Sequence, residues 1–333
     1  MKKMTGIIAM AVLSSAAFAN TIVPETSRDG KTKNSSAIAV TQEMRTFVAG
    51  EYNMTTNEAD TTGSVETETT NMNVYGGWAN KMISVEADLN MANEEQGTTT
   101  DTDTNDYGFK AGYRINKEIA LGLGYTMGNE EDKAGTETDT SRLELAGSYN
   151  MGDLVLGLSF GINSYEQGTT DGSFNNLIVG VGSNANNMSW EAGLDYTMEE
   201  DEDLNVGSRF KLFAGMTKVV NNIELDGDLS YTTGDNQAVA TGNNDYSNLD
   251  LRFDAEFLVG KMFYVTPGLS YSSEDEAGTE TTDLALSADF GYRANKIDAT
   301  FGIDYSLSNE VDNGTTTTDY DNMAWKVNVA YLF

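Results

Sequence analysis

Residues 249–259 read LDLRFDAEFLV, and apolar and charged side chains alternate along them as far as Phe257. Successive side chains of an extended chain point to opposite faces, so such a segment has one apolar face and one charged face. A period of two predicts a β-strand and argues against an amphipathic helix. Residues 297–305, IDATFGIDY, repeat the pattern. The sequence therefore predicts strands that separate an apolar environment from a polar one.

Short turn signals recur roughly every 36 residues and divide the chain into hairpins. Asn and Gly tolerate the positive φ that tight turns need. The signals are Asn80-Lys81, Asn116-Lys117, Gly152-Asp153, Asn186-Asn187, Asn221-Asn222, Gly260-Lys261 and Asn295-Lys296. Between them lie polar stretches that we predict to be longer acidic loops, at 55–68, 93–104, 129–138, 166–173, 199–206, 234–246, 274–281 and 308–319.

Counting the segments between turns and loops predicts about sixteen antiparallel strands, with fourteen or eighteen as alternatives. The first strand is expected near 43–54 and the last near 320–333. Because Pro267 falls inside a predicted strand and cannot donate to a ladder, we expect a bulge there.

Aromatic residues distinguish a membrane barrel from a soluble sandwich, which alternation alone would also allow. One row of Tyr residues ends the strands that lead to the polar stretches, and a second aromatic row precedes the short turns. These rows are Tyr125, Tyr196, Tyr231, Tyr271 and Tyr305, and Trp78, Tyr113 and Tyr292. Two aromatic rows that flank an apolar band are typical of the interfacial girdles of a membrane barrel.

The C-terminus has the most specific pattern. An alternating row ends on Phe333 and contains Trp325, Val327, Val329 and Tyr331. It resembles the terminal strand by which the assembly machinery of Gram-negative bacteria recognises porin-like outer-membrane β-barrel proteins. The resemblance is one of pattern and covers residues 37–333. It implies an all-β, closed antiparallel transmembrane barrel with short periplasmic turns and longer acidic extracellular loops.

The N-terminus reads as a signal peptide over residues 1–19. Lys2 and Lys3 precede a short apolar run, and Ala17-Phe18-Ala19 fits a peptidase site, so we expect cleavage between Ala19 and Asn20. An uncleaved anchor is the alternative. Residues 20–36 are predicted to be an irregular periplasmic lead or a plug-like tail, and residues 37–333 the barrel. The expected location is the bacterial outer membrane.

Composition excludes several functions. The formal net charge of -32 argues against nucleic acid as a partner. The chain has no Cys and no His. The lack of Cys excludes thiolate chemistry. The lack of His argues against the known barrel enzymes, which resemble one another in needing a His. Residues 101–105 resemble the start of a calcium loop, but Asp106 stands where Gly is required. We therefore expect no enzyme activity, metal or cofactor.

The charged faces of the strands predict an inward, pore-lining surface with more acidic than basic residues. Acidic strands are expected to adjoin basic ones, with Glu191 and Asp195 next to Arg209 and Lys211. Such pairs could simply make a polar wall tolerable, or also create a field across the pore. The predicted pore-lining residues are Glu86, Asp88, Lys110, Arg114, Arg142, Glu144, Glu191, Asp195, Arg209, Lys211, Glu224, Asp226, Asp228, Asp250, Arg252, Asp254, Glu256, Asp289, Arg293, Asp298, Asp304 and Lys326.

Two functions agree with these features. One is a porin for passive diffusion of small polar solutes, mildly selective for cations. The resemblance implies a long third loop that narrows the pore, but the predicted third loop here, 129–138, is short. The alternative is a non-conducting surface barrel with an adhesion, receptor or envelope-stabilising role. Expected partners are outer-membrane lipid, lipopolysaccharide and the barrel-assembly machinery. Whether the protein is a homotrimer or a monomer stays open.

Overall fold

The structure is a computed structural model. It describes residues 46–59, 66–80, 82–96, 100–168, 170–185, 188–199, 208–221, 223–235, 245–276, 278–294, 296–312, 314 and 317–332. The predicted signal peptide, its cleavage site, the 20–36 lead and the final residue Phe333 lie outside the described residues.

Sixteen antiparallel strands form one closed barrel, because each strand pairs with its sequence neighbours and β1 pairs with β16. The predicted fold class and strand number are confirmed. The strands are β1 Phe47–Ala59, β2 Thr67–Ala79, β3 Ile83–Gln96, β4 Thr100–Arg114, β5 Ile119–Asp132, β6 Glu137–Met151, β7 Leu154–Gln167, β8 Thr170–Ala185, β9 Met188–Glu199, β10 Arg209–Val220, β11 Ile223–Asp235, β12 Asp245–Val259, β13 Phe263–Glu276, β14 Thr279–Ala294, β15 Ile297–Asp312 and β16 Thr317–Leu332.

Short connections join the strands at one end of the barrel, which we call the turn end, although the predicted Asn186-Asn187 turn lies outside the described residues. The side-chain oxygen of Asn116 accepts hydrogen bonds from the backbone N–H groups of Glu118 and Ile119, at 2.8 and 2.7 Å. Gly152 and Gly260 have φ values of 72° and 82°, a left-handed conformation that a residue without Cβ adopts at no steric cost. These residues therefore reverse the chain within a few positions.

At the other end, which we call the loop end, the strands are longer than predicted. β4 begins at Thr100, β5 ends at Asp132 and β6 begins at Glu137, so most of the predicted loops 93–104 and 129–138 are strand. Hydrogen bonding between backbones does not require apolar side chains, and Thr fits a pleated surface well. The loss of apolar residues thus indicates where the strands leave an apolar environment, not where they end.

The bulge predicted at Pro267 is wrong. The register between β12 and β13 is the same on both sides of it, with Asp254 opposite Gly268 and Phe257 opposite Val265. Only the hydrogen bonding towards β12 is interrupted, because proline lacks a backbone N–H donor. The register is preserved because proline occupies the same length of strand as any other residue. Register shifts occur instead between Leu284 and Ala285, and along β15 beyond Tyr305.

The outer surface of the barrel is apolar, and the inner surface is polar. Phe253, Leu229 and Phe301 are 53%, 45% and 42% exposed on the outer face. Both aromatic rows are on that face, as the exposure of Tyr125 and Trp78 illustrates. The described residues include no helix long and apolar enough to cross a membrane.

The barrel interior as the candidate functional site

All of the residues predicted to line a pore lie on the interior face of the barrel. Residues directly opposite each other on paired strands share a face. The register from strand to strand therefore shows which residues of every strand face the interior. Glu86 is opposite Lys110, for example, and Asp226 is opposite Asp254. The interior therefore brings together most of the charged residues of the strands.

Many interior side chains lie flat along the wall, over glycines of a neighbouring strand. Gly302 on β15 lies beneath an ion pair between Lys326 Nζ and Asp289 Oδ1, at 3.1 Å, which joins β16 to β14. A Cβ on Gly291 would overlap the ring of Tyr264. Because these side chains extend around the circumference, they leave space towards the barrel axis.

A polar cluster stabilises the wall near the turn end of β12–β15. Arg293 Nε donates to Asp298 Oδ2 at 2.8 Å, and its Nη1 lies 3.5 Å from Glu256 Oε1. The hydroxyl of Tyr264 donates to Asp298 Oδ1 at 2.7 Å. The guanidinium also lies 4.7 Å from the Tyr264 ring centroid, within cation–π range. These contacts connect four strands, which favours a structural role for this part of the wall.

Elsewhere in the barrel, acidic strands adjoin basic ones as predicted. Lys110 Nζ lies 3.7 Å from Glu86 Oε1, as expected for adjacent strands. The strand with Glu191 and Asp195 also adjoins the strand with Arg209 and Lys211, and Asp195 is directly opposite Lys211, whereas Glu191 is opposite Gly215. The register between two strands fixes which rows meet, and that register cannot be read from alternation alone.

Acidic residues are concentrated on β9, β11 and β12. We call this set the acid wall; it comprises Glu191, Glu224, Asp226, Asp228, Asp254 and Glu256. Glu224 is directly opposite Glu256, and Asp226 is directly opposite Asp254. The carboxylates of Asp228 and Glu191 both approach Gly215, where a Cβ would lie 2.8 and 3.3 Å from their nearest oxygens. Acids from three strands thus meet on one part of the interior.

Hydrogen bonds and two bases, Arg252 and Arg293, partly compensate this charge. Thr217 Oγ1 donates to Asp226 Oδ1 at 2.7 Å. Arg252 Nε donates to Asp254 Oδ2 at 2.5 Å. Bases are also found across the lumen, because β4 carries Lys110 and Arg114 and lies eight strands from β12 in the ring of sixteen. Bases also lie within the acidic side, because β10 carries Arg209 and Lys211 between β9 and β11.

The predicted interior set omitted a group of acids nearer the loop end. They continue the same alternation, but all except Asp106 fell within predicted loops, so the predicted strand ends excluded them. Asp106 accepts a hydrogen bond from Asn90 Nδ2 at 3.3 Å. The omitted acids are Glu94, Asp106, Glu130, Asp132, Glu274 and Glu276. If the alternation of inward and outward positions had been continued through the polar stretches, these acids would have been assigned to the interior.

Interior aromatic residues were not predicted either, since the aromatic rows indicated only the outer face. Tyr246 is buried on the interior beneath the guanidinium of Arg209, 3.9 Å from the ring centroid. Phe213 lies over Gly193, where a Cβ would overlap its ring. Among the described residues, no group of three or more His, Cys, Asp or Glu side chains is placed to hold a metal ion.

The fold is similar to that of solved outer-membrane proteins, although no protein-family model and no curated protein sequence matches the chain. A Pseudomonas aeruginosa FadL homologue is 7% identical, with a TM-score of 0.54 over 95% of this chain and 97% of that one. A deltaS2 mutant of the TodX monoaromatic hydrocarbon channel is 8% identical, with a TM-score of 0.56 over 90% and 93%.

A bacterial polysaccharide outer membrane secretin is 10% identical, with a TM-score of 0.53 over 86% of this chain and 98% of that one. At such low identities the similarity concerns the fold. The chain therefore has the fold of an outer-membrane β-barrel protein of the Gram-negative type.

Proposed function

We propose that the protein is an outer-membrane channel for the passive diffusion of small polar solutes, with a modest preference for cations. Sixteen strands enclose a lumen wide enough for water, in contrast to eight-stranded barrels that side chains fill. The apolar outer band and its two aromatic rows suit a bilayer and its interfaces. In this proposal the band contacts lipid and lipopolysaccharide after export.

The acid wall is the observation that carries the cation preference. Like charges directly opposite each other on paired strands destabilise a sheet. A barrel needs a polar interior but not facing pairs of acids such as Glu224 with Glu256. Fixed negative charge raises the local concentration of cations and lowers that of anions, so the acid wall has a role in permeation that offsets its energetic cost.

The interior chemistry favours polar solutes over hydrocarbons. One structurally similar protein is a monoaromatic hydrocarbon channel. The interior face of this chain instead carries charged residues on most strands, and transfer of an apolar solute into such surroundings gains little. Among the interior aromatic side chains, Tyr246 lies beneath Arg209, whereas Phe47 and Tyr75 pack against each other.

Reversal potentials of single channels in a salt gradient test the proposal. Purified protein in planar bilayers should give open channels whose reversal potential favours the cation. The preference should grow as salt is lowered, because the Debye length is about 10 Å at 0.1 M and about 30 Å at 0.01 M. Absence of channels would refute conduction, and a reversal potential that favours the anion would refute the assigned role of the acid wall.

A further inference from the structure

A row of asparagines lines the interior on β16, β1 and β2. We call it the amide track; it comprises Asn53, Asn57, Asn71, Asn73 and Asn322. Asn57 is directly opposite Asn322. Asn53 is directly opposite Asn71 on one side and the interior residue Lys326 on the other, which places the track on the inner face. The five amides therefore belong to one surface that three adjacent strands share.

This part of the interior carries little charge. The interior positions of β2 hold only Thr, Asn, Tyr, Gly and Ala, and Glu51 is the single charged residue on the interior face of β1 as the structure describes it. β1 lies eight strands from β9 in the ring of sixteen, so the track lies across the lumen from the acid wall. A solute at the track is therefore held by hydrogen bonds rather than by charge.

Hydrogen-bonding groups of the track are available to a solute. The Oδ1 atoms of Asn53, Asn57 and Asn73 are inaccessible and have no hydrogen-bond partner among the described residues, although the side chains themselves are half-buried. The last torsion of an asparagine side chain is broad and roughly two-fold, so rotation exchanges the oxygen and the nitrogen with little change in shape. These amides can therefore turn either a donor or an acceptor towards the lumen.

Interior asparagines on another part of the wall are used differently. Asn163 Nδ2 donates to Asn176 Oδ1 at 3.5 Å, and Asn176 Nδ2 donates to Asp195 Oδ1 at 3.3 Å. Those amides are buried, and their hydrogen bonds connect β7, β8 and β9. The three oxygens of the track make no such connection between strands. Polar groups without a protein partner need water or a ligand instead.

We propose that the amide track binds neutral polyhydroxylated solutes, such as sugars and polyols, and guides them through the lumen. The proposal rests on the proposed function, because it specifies one class of the polar solutes that the channel passes. A hydroxyl group and an amide each contain a donor and an acceptor, so the two can pair in either orientation. Cations are instead attracted to the opposite side of the lumen, where fixed negative charge is concentrated.

The track is long enough to hold a solute at successive positions. Asn57 lies towards the loop end, and Asn73 is opposite Glu51, so the track follows β1 from Glu51 to Asn57. This stretch is about 20 Å long at the rise of a strand. Passage through a pore requires binding that is favourable enough for entry but divided among sites weak enough for release. Amides repeated along the wall meet both requirements.

Swelling of proteoliposomes tests the track with two neutral solutes of equal hydrodynamic radius, sucrose and a methyl-capped oligoethylene glycol. Sucrose donates and accepts hydrogen bonds, whereas the capped glycol only accepts them. After subtraction of the rates for protein-free liposomes, sucrose should enter about threefold faster, which corresponds to about one net hydrogen bond. Equal rates, or faster entry of the glycol, would overturn the proposal.

Two triple variants separate the amides from the space that they occupy. Asn53→Leu, Asn71→Leu and Asn73→Leu together remove three amides and should abolish the preference for sucrose. Asn53→Gln, Asn71→Gln and Asn73→Gln add comparable volume but keep the amides, so this variant should retain the preference. Heat-modifiable migration on a gel shows whether each variant has folded. A preference that persists in the leucine variant, or is lost in the glutamine variant, would contradict the track.

The outcome also distinguishes this proposal from the proposed function. Open, cation-favouring channels that do not prefer sucrose would refute the track and leave the channel function intact. Uptake of neither solute, together with the absence of ion conduction, would refute both.

Discussion

Asp226 on β11 lies directly opposite Asp254 on β12, so that two carboxylates face each other inside the barrel. Arg252 binds Asp254 from the same strand, which relieves part of the repulsion. Replacing such a pair with neutral residues would preserve a polar surface without this repulsion. The arrangement is explained if negative charge on this side of the lumen serves permeation.

Neutralising the acid wall should change selectivity. With Glu224→Gln, Asp226→Asn and Asp228→Asn combined, we expect the reversal potential in a salt gradient to shift towards anions, with little change in conductance at high salt. The reason is that fixed charge acts through local ion concentration, which salt screens.

The control for this variant removes equal charge outside the lumen. Asp101→Asn, Asp103→Asn and Asp139→Asn change exposed acids on the outer side of β4 and β6 near the loop end. Their combined effect on the reversal potential should be small. If both triple variants shift the potential equally, overall charge and not the acid wall sets the selectivity.

A methyl group on Gly291 should destabilise the barrel. Its Cβ would overlap the Tyr264 ring, whose hydroxyl binds Asp298 and Thr300. We expect Gly291→Ala to cost about 1–3 kcal/mol, as overpacking does. The measurement is the midpoint of urea unfolding in detergent or lipid.

Gly227→Ala is the matched control, because its Cβ would face the outer side and meet only ordinary contacts at 3.8 and 3.9 Å. Its unfolding midpoint should stay close to that of the native chain. An equal loss in both variants would show that added side-chain volume on a strand, and not contact with Tyr264, causes the effect.

Charge on the outer face should be costly. Phe253 is exposed on the apolar band, and Phe253→Arg should reduce the free energy of unfolding in lipid by about 2–4 kcal/mol if the site is near the midplane. Thr266→Arg places the same charge on the interior, opposite Asp289, and should be tolerated. Comparable losses for the two variants would mean that the outer face does not contact lipid.

Removal of Phe333 should impair insertion into the outer membrane. The preceding residues Val327, Val329 and Tyr331 are exposed on the outer face of β16, in the alternating row that the final Phe completes. We expect the deletion to leave aggregates in the periplasm, whereas Phe333→Tyr keeps an aromatic terminus and should assemble. Surface levels measured by protease accessibility decide between these outcomes, and normal levels after deletion would contradict the assembly role.

The fold could be predicted from the sequence because a strand repeats a simple pattern. The alternation of apolar and charged residues alone assigned Phe253 to the outer face and Asp254 to the interior, and Asn and Gly indicated the turns. Strand ends were harder to predict, because backbone hydrogen bonding between strands continues where the side chains are no longer apolar. This is why Glu94 and Glu130 were missed.

Contacts on the interior wall could not be predicted, because they depend on register and on which neighbour is glycine. Lys326 meets Asp289 two strands away because Gly302 leaves space between them. The buried state of Ser159 also has no signal in the sequence, since a small polar residue on an inner face would be expected to meet water.

Permeation into proteoliposomes tests the central claim most directly. The measurement compares the uptake rates of a small alkylammonium ion and a carboxylate of equal size, at low and at high salt. We predict that both enter faster than into protein-free liposomes, that the ammonium ion enters faster at low salt, and that the two rates converge as salt rises. Uptake no faster than into protein-free liposomes, or faster entry of the carboxylate, would contradict a cation-favouring channel.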